Sequence, residues 1–225
     1  MTQDCYFLRM LFSKLLIWDD DQTRTPTAQM AIDEALLEFA EVPVLRIYRW
    51  AAPAVTFGYA QRHRDVLPLA AGRPLVRRWT GGGVVFHGDD LTLSLALPPN
   101  HSLAAGRTDH IYLKIHEAVL DAIRAQEPSA KLATAEDCQP GAACFVSPAL
   151  HDILLSSKKI CGGALRRGKR GALYQGSLHA SLSIRQLGRC LADSWALLSD
   201  RKAIEAVAKE HERNRYSTAE WNLMR

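Results

Sequence analysis

The chain has 225 residues, 48% hydrophobic and 23% charged, with a formal net charge of +4. That length suits one domain with a generous core, and the composition is that of an ordinary globular protein without repeats or low-complexity linkers. The modest positive charge permits an acidic partner but does not point to nucleic acid, and no apolar run reaches the ~18 residues of a membrane span. Five cysteines, Cys5, Cys138, Cys144, Cys161 and Cys190, include no Cys-x-x-Cys pair. They argue against a disulfide framework or a zinc cluster and fit a reducing cytoplasm. Asp4 precedes the first apolar stretch and Arg9 and Lys14 interrupt it, so the N-terminus does not read as a secretory signal.

Leu15–Asp19 reads as the first strand. Thr25 followed by Pro26 marks a helix start, and the helix runs through Met30, Ala31, Ala35, Leu36 and Phe39. Val44–Trp50 and Ala54–Phe57 are strands about a turn at Ala51-Ala52-Pro53, and Leu75–Arg78 is another short strand. Leu91, Leu93, Leu95 and Leu97 alternate with Thr92, Ser94 and Ala96, the pattern of a half-buried strand, which Pro98-Pro99 ends. Thr108 to Ala125 is an amphipathic helix, and Gln126 to Pro140 is irregular. Asp152–Leu155, Lys159–Leu165 and Ala172–Ser181 follow as strands, with turns at Ser156-Ser157 and Gly168–Gly171. The remainder, from about 184 to 225, reads as helical, with Ile184–Leu198 and Asp200–Arg213 as its main pieces. Strands in hairpin succession predict an α+β domain of mixed, largely antiparallel sheets flanked by helices.

The most informative stretch is Arg77-Arg78-Trp79-Thr80-Gly81-Gly82-Gly83-Val84-Val85-Phe86-His87. Bare glycines let a ligand rest on the main chain, and successive N–H groups in such a turn cradle an anion or a polarised carbonyl. Alone, Gly81-Gly82-Gly83 is equally a flexible hairpin turn. It is not a dinucleotide fingerprint, because strands flank it and no helix follows. The second stretch runs from Cys144-Phe145-Val146-Ser147-Pro148 to Lys158-Lys159-Ile160-Cys161-Gly162-Gly163-Ala164. Strand alternation puts Lys159 with Cys161 and Gly163, one lysine beside small residues, as in a slot for a fatty chain with a polar end. The plainer alternative is a solvated Lys-Lys pair at a hairpin. A cation near Cys144 would favour its thiolate, whereas Cys5, Cys161 and Cys190 fit small buried hydrophobes. No Ser-His-Asp or zinc-ligand spacing stands out among the eight histidines.

Together these stretches resemble the lipoate-protein ligase A family and its acyltransferase relatives, with biotin ligases more distant. The resemblance spans nearly the whole chain, from Ala28-Gln29-Met30-Ala31-Ile32-Asp33-Glu34-Ala35 to Tyr216-Ser217-Thr218-Ala219-Glu220-Trp221-Asn222. It implies a single biotin/lipoate ligase-type catalytic domain over 1–225, without an accessory domain, that holds lipoate or octanoate in a tunnel. By the same matching Lys159 anchors the acyl carboxyl end. Arg78, Gly81, Gly82, Gly83, Val84, Val85, Phe86, His87, Gly162, Gly163 and Ala164 form the acyl site.

Cys144-Phe145 with Ser147-Pro148 resembles the nucleophile motif of the cysteine-dependent octanoyltransferase branch. His87-Gly88-Asp89-Asp90-Leu91-Thr92 with Ser94 resembles another motif of that branch. Gly81-Gly82-Gly83 and Asp152-Ile153 are the ligase-like features. The resemblance therefore implies transfer of octanoate from octanoyl-acyl carrier protein to a lysine of a lipoyl domain, of a 2-oxoacid dehydrogenase or of the glycine cleavage H protein. Cys144 would be the nucleophile and Lys159 its activating cation, with no metal and no cofactor. The alternatives are a lipoate-protein ligase using ATP and Mg, and a non-catalytic acyl- or biotin-binding protein. The basic segment from Lys158 to Arg170 suits an acidic carrier. It lacks the interleaved aromatics of a nucleic-acid surface.

Overall fold

The computed structural model describes residues 10–138 and 148–224. β1 (Phe12–Asp20) leads to α1 (Pro26–Phe39), whose N-cap Thr25 accepts from the Ala28 N–H at 3.1 Å with Pro26 in the first turn. β2 (Val44–Tyr48), β3 (Ala54–Phe57), α2 (His63–Ala70) and β4 (Leu75–Arg77) precede the glycine turn. After it come β5 (Val85–His87), β6 (Leu91–Leu97), the short α3 (Ser102–Ala105) and the long α4 (Thr108–Arg124). β7 (Lys131–Leu132), β8 (Ile153–Leu155), β9 (Lys158–Gly168) and β10 (Gly171–Leu178) complete the strand-rich part. α5 (Ile184–Leu191), β11 (Ala192–Leu197), α6 (Lys202–His211), a π-helical turn (Glu212–Tyr216) and α7 (Ala219–Leu223) follow.

Eight strands form one sheet in the order β11-β1-β2-β6-β10-β9-β8-β7, and β4-β3-β5 form a second. The pairings of β1 with β11 and β2 and of β3 with β4 are parallel, and the other pairings are antiparallel. The α+β reading of mixed, largely antiparallel sheets therefore holds. Among the described residues no helix is long and apolar enough to cross a membrane.

Central strands are covered on both faces. Leu91, Leu93, Leu95 and Leu97 of β6 join the core beneath α4 and α5. Ala96 of the same strand joins the core beneath α1 and α6. Thus β6 is buried at every position, not at every second one as its alternation predicts. Helices on both faces bury the polar side too; the Thr92 hydroxyl finds internal partners, whereas that of Ser94 has none among the described residues.

One predicted helix is corrected. Ile184–Leu198 is not continuous: α5 ends at Leu191, and Ala192–Leu197 runs parallel to β1 with Ala192 opposite Phe12 and Leu197 opposite Ile17. Backbone pairing along the edge of β1 outweighs the helical spacing of Leu187, Leu191, Trp195 and Leu198.

The C-terminal segment locks the small sheet. Arg77, wholly buried, donates to the carbonyls of Trp221 and Asn222, each at 3.0 Å, and the Trp221 indole donates back to Arg77 O at 3.0 Å. The strand that delivers the chain into the glycine turn is thereby fixed.

Candidate active site

A cavity lies between the two sheets. Thr56, Arg78, Gly82–Val85 and His87 line it from the small sheet, and Thr92, Lys159, Gly162–Ala164 and Gln175–Ser177 from the large one. Met30, Tyr48, Ala149 and Asp152 complete the wall. The structure thus gathers most of the residues expected from sequence. Two are corrected. Gly81 lies off the lining and contributes its carbonyl to Arg78. Phe86 points outward, 37% exposed, because alternation along β5 turns Val85 and His87 inward. Cys144 lies outside the described residues, while Ala149, C-terminal to that segment, is on the cavity wall.

Lys159 reaches the cavity by a bulge. β8 and β9 pair Ile153 with Cys161 but Leu154 with Lys159, so Ile160 is an extra residue between them. A bulge re-aims the side chains before it. Lys159 therefore lies against Gly162, not on the face of Cys161 and Gly163 as strict alternation predicts. Its Nζ is 2.8 Å from Asp152 Oδ2, so the expected lone lysine on an apolar face is an ion pair. Asp152 is fully buried, accepts the Ala149 N–H at 2.7 Å, and also takes the hydroxyl of Tyr112. The Gly163 N–H donates to that Tyr112 oxygen at 2.9 Å. A charged pair this enclosed is held by its geometry and by the extra hydrogen bonds on the carboxylate.

The glycines beside Lys159 serve different neighbours. A Cβ at Gly162 would lie 2.2 Å from Lys159 Cε, so its bareness admits the lysine. Cβ atoms at Gly163 and Gly176 would fall 2.5 Å and 2.3 Å from Tyr174, so those two admit a buried ring. The Tyr174 hydroxyl donates to His116 Nε2 at 2.8 Å, since His116 Nδ1–H is directed at the His151 carbonyl at 2.7 Å. Burial lowers the His116 pKa to about 4. Cys161, on this far side of β9, has its thiol pushed up to about 12 by burial, and remains a thiol, as its reading as a small hydrophobe requires.

At the glycine turn Arg78 faces the backbone. Its Nη2 donates to Gly81 O at 2.9 Å and Gly83 O at 2.8 Å, and its Nη1 donates to Thr56 Oγ1 at 2.8 Å. Gly82 adopts φ +81°, and its carbonyl is directed at Gly58, where a Cβ would lie only 2.0 Å away. The Gly81 and Gly83 carbonyls thus accept from Arg78, and the Gly82 carbonyl packs against Gly58. Among the described residues the Gly82 and Gly83 N–H groups have no protein acceptor. A turn with unbonded N–H groups is able to receive an oxyanion.

His87 was expected in the site, but sequence reasoning did not show how the rest of the polar wall is bonded around it. His87 Nδ1 is 2.9 Å from Asp90 Oδ2 and its Nε2 is 2.8 Å from Thr56 Oγ1. Asp90 also accepts from Ser177 at 2.8 Å, from the Gly88 N–H at 3.1 Å and from Thr92 at 3.2 Å; against the opposing effect of burial, His87, Ser177 and the Gly88 N–H hold its carboxyl at a pKa of about 2. Gln175 accepts from Thr80 at 2.6 Å and donates to Asp33 at 2.7 Å, and Tyr48 donates to Asp33 at 3.0 Å. The wall's polar groups are largely bonded to each other, so an apolar group in the cavity would leave few of them without a partner. The visible signal was Thr92, a hydroxyl within the leucine alternation of β6.

The cations after Lys158 are partly committed elsewhere. Arg166 lies between the rings of Tyr59 and Trp79 at 4.2 and 4.3 Å, and Arg170 pairs with Glu34 and Glu38. Glu34, Glu38 and His211 form a cluster of metal-ligand type, but Arg170 and Arg215 already neutralise it.

Residues 25–213 match the family described as lipoyl protein ligase A/B catalytic domain. An octanoyltransferase LipM of Oceanobacillus iheyensis is 34% identical over 175 residues, which cover 70% of this chain and 61% of that relative. The chain therefore spans about three fifths of that relative's length. Among solved structures, lipoate-protein ligase A bound with ATP is similar with a TM-score of 0.70 at 22% identity, covering 93% of this chain and 98% of that one. A bipartite lipoate protein ligase from Thermoplasma acidophilum, described with its E2 lipoyl domain, has a TM-score of 0.63 at 22% identity, covering 96% and 97%. At these identities the structures speak for the shared fold.

Proposed function

The chain belongs to the lipoyl protein ligase A/B catalytic domain family, and on that footing we propose that it is an octanoyltransferase of protein lipoylation. The donor is octanoyl-acyl carrier protein, the acceptor a lysine of a lipoyl domain, and the intermediate a thioester on Cys144. The observation that carries this reading is the pairing of Lys159 with Asp152 in a cavity that Gly82 and Gly83 of the glycine turn also line. The similarity to an octanoyltransferase supports the same branch.

In the first half-reaction the Cys144 thiolate attacks the octanoyl thioester carbonyl. The turn amides and the Lys159 ammonium stabilise the oxyanion, and the carrier thiolate leaves. In the second, the acceptor's neutral amine attacks the enzyme thioester, the Cys144 thiolate leaves, and the amine's proton is released. Asp152 keeps Lys159 at a fixed place through both steps. No nucleotide is required, and ping-pong kinetics follow.

The competing reading, an ATP- and Mg-dependent lipoate ligase, draws on the Gly81-Gly82-Gly83 turn and on Asp152. One experiment separates the two. Enzyme mixed with octanoyl-carrier protein, without ATP, gains one octanoyl mass that hydroxylamine removes, and Cys144→Ala loses both adduct and transfer. No adduct, full activity in Cys144→Ala, and product only with lipoate, ATP and magnesium would establish the ligase instead.

A further inference from the structure

We infer that Thr56, His87 and Asp90 are positioning residues: a relay from a buried carboxylate, through an imidazole and a hydroxyl, holds Arg78 on the Gly81 and Gly83 carbonyls and so keeps the turn amides facing the cavity. Proton directions along the relay follow from its ends. A guanidinium only donates, so Thr56 Oγ1 accepts from Arg78 and has its own proton to give to His87 Nε2. The imidazole then carries its proton on Nδ1, 2.9 Å from Asp90 Oδ2. The opposite neutral tautomer would set an Nδ1 lone pair against a carboxylate. Burial, which lowers the His87 pKa, favours the same neutral ring.

The ring cannot easily turn. It stacks on Trp50 with centroids 4.0 Å apart and planes 20° from parallel, and the Trp50 indole donates to Thr92 at 2.8 Å. Asp90 is a hub between layers: its partners Thr92 and Ser177 belong to the large sheet, and His87 to the small one. The relay therefore fixes the small sheet over the large one at the level of the cavity and passes that fix to the turn. It differs from a nucleophilic triad although it contains a hydroxyl, an imidazole and a carboxylate. Thr56 is wholly buried and its oxygen already accepts from Arg78, so it is placed to transmit, not to attack.

Thr56→Val tests this, because it keeps shape and removes the hydroxyl, while Thr56→Ser keeps the hydroxyl. Two readouts are taken: amide resonances of Gly82, Gly83 and Val84 in ¹⁵N spectra of the full chain, and steady-state octanoyl transfer. Expected for Thr56→Val are displaced turn resonances and a kcat about tenfold or more below wild type, with KM for the donor within about threefold, the pattern of a lost transition-state interaction. Thr56→Ser restores both. Unmoved turn resonances with kcat within about twofold of wild type would overturn the relay. Only the kinetic arm rests on the proposed acyl transfer: if wild type transfers nothing, that reading fails and the resonances still decide this one. Should Thr56→Val not fold, His87→Asn, which keeps a donor for Asp90 and loses the reach to Thr56, is judged by the same two readouts.

Discussion

Gly162→Ala separates site geometry from fold stability. The new Cβ would lie 2.2 Å from Lys159 Cε, 2.4 Å from its Nζ and 3.1 Å from Asp152 Oδ1, where ordinary contact begins at 3.4 Å. The difference, 3.4 − 2.2, requires Lys159 to retreat by about 1 Å, which pulls Nζ from its 2.8 Å position on Asp152. The atoms in the way are the end of a flexible side chain, so the fold gives at a cost of about 1–2 kcal/mol, an ordinary mutational loss. A misplacement of about 1 Å at a reacting centre costs on the order of 100-fold in rate. Gly163→Ala is the control: its Cβ would meet the Tyr174 ring at 2.5 Å, and that ring is 1% exposed and tied to His116. There nothing yields, and destabilisation of about 3 kcal/mol or more is expected, the upper end of overpacking. Thermal melts and initial transfer rates on both variants check the pair. A Gly162→Ala enzyme that transfers within about threefold of wild type, or melts as low as Gly163→Ala, would refute the reasoning.

Lys159→Ala is expected to abolish transfer with the fold retained, while Lys158→Ala, exposed at the hairpin, changes little; equal residual activity in both would remove this strand from the site. Acid stability should follow His116, whose folded pKa is lowered from 6.5 to about 4. The unfolded chain takes up that proton first, so its contribution is complete above pH 6.5 and is lost as pH falls through 4, about 3 kcal/mol in all. Denaturant titrations should show a flatter slope over that window in His116→Gln, and an unchanged slope would contradict the assignment. Carrier capture should weaken with salt, since exposed charges are screened over ~8 Å at physiological ionic strength. The informative reversals are Lys158→Glu with Arg167→Glu, expected to raise donor KM at low salt with kcat nearly constant; an unaltered KM would exclude this hairpin from docking. Arg170→Glu is unsuitable because it would face Glu34 and Glu38.

Much of this was legible wherever local chemistry decides. Thr25-Pro26 set the start of α1, the Leu91–Leu97 alternation set β6, and Ser156-Ser157 set a turn that both serines enter with positive φ, 49° and 66°. What stayed hidden depends on partners distant in sequence. Leu187, Leu191 and Trp195 hold helical spacing, yet β1 claims Trp195 opposite Leu15. Strict alternation puts Lys159 on the wrong face because counting by twos cannot register a bulge, which exists only in the pairing of β8 with β9. Asp152, Tyr112 and His116 gave no signal as a set, since α4 brings two of them from far upstream to the strand ends that carry the third. The glycine turn was recognisable, but not its internal bracing, in which Arg78 donates to Thr56 and to two carbonyls of the turn.

That arrangement bears on which acyl group the cavity suits. Its two cations each have an acidic counterpart: Lys159 contacts Asp152 directly, and Arg78 is linked through Thr56 and His87 to Asp90. A free carboxylate entering here would compete with Asp152 for the lysine. A thioester carbonyl is neutral on arrival and becomes negative only in the transition state. Donors that are fixed and uncharged, such as the Gly82 and Gly83 amides, then act on the transition state more than on the bound donor, which is the condition for raising kcat. A ligase of the same fold meets the opposite requirement, because its carboxylate is charged from the start and needs a cation delivered with the nucleotide. The pairing of Lys159 with Asp152 therefore favours the proposed neutral donor, and an ATP-independent adduct on Cys144 is the result that would test it.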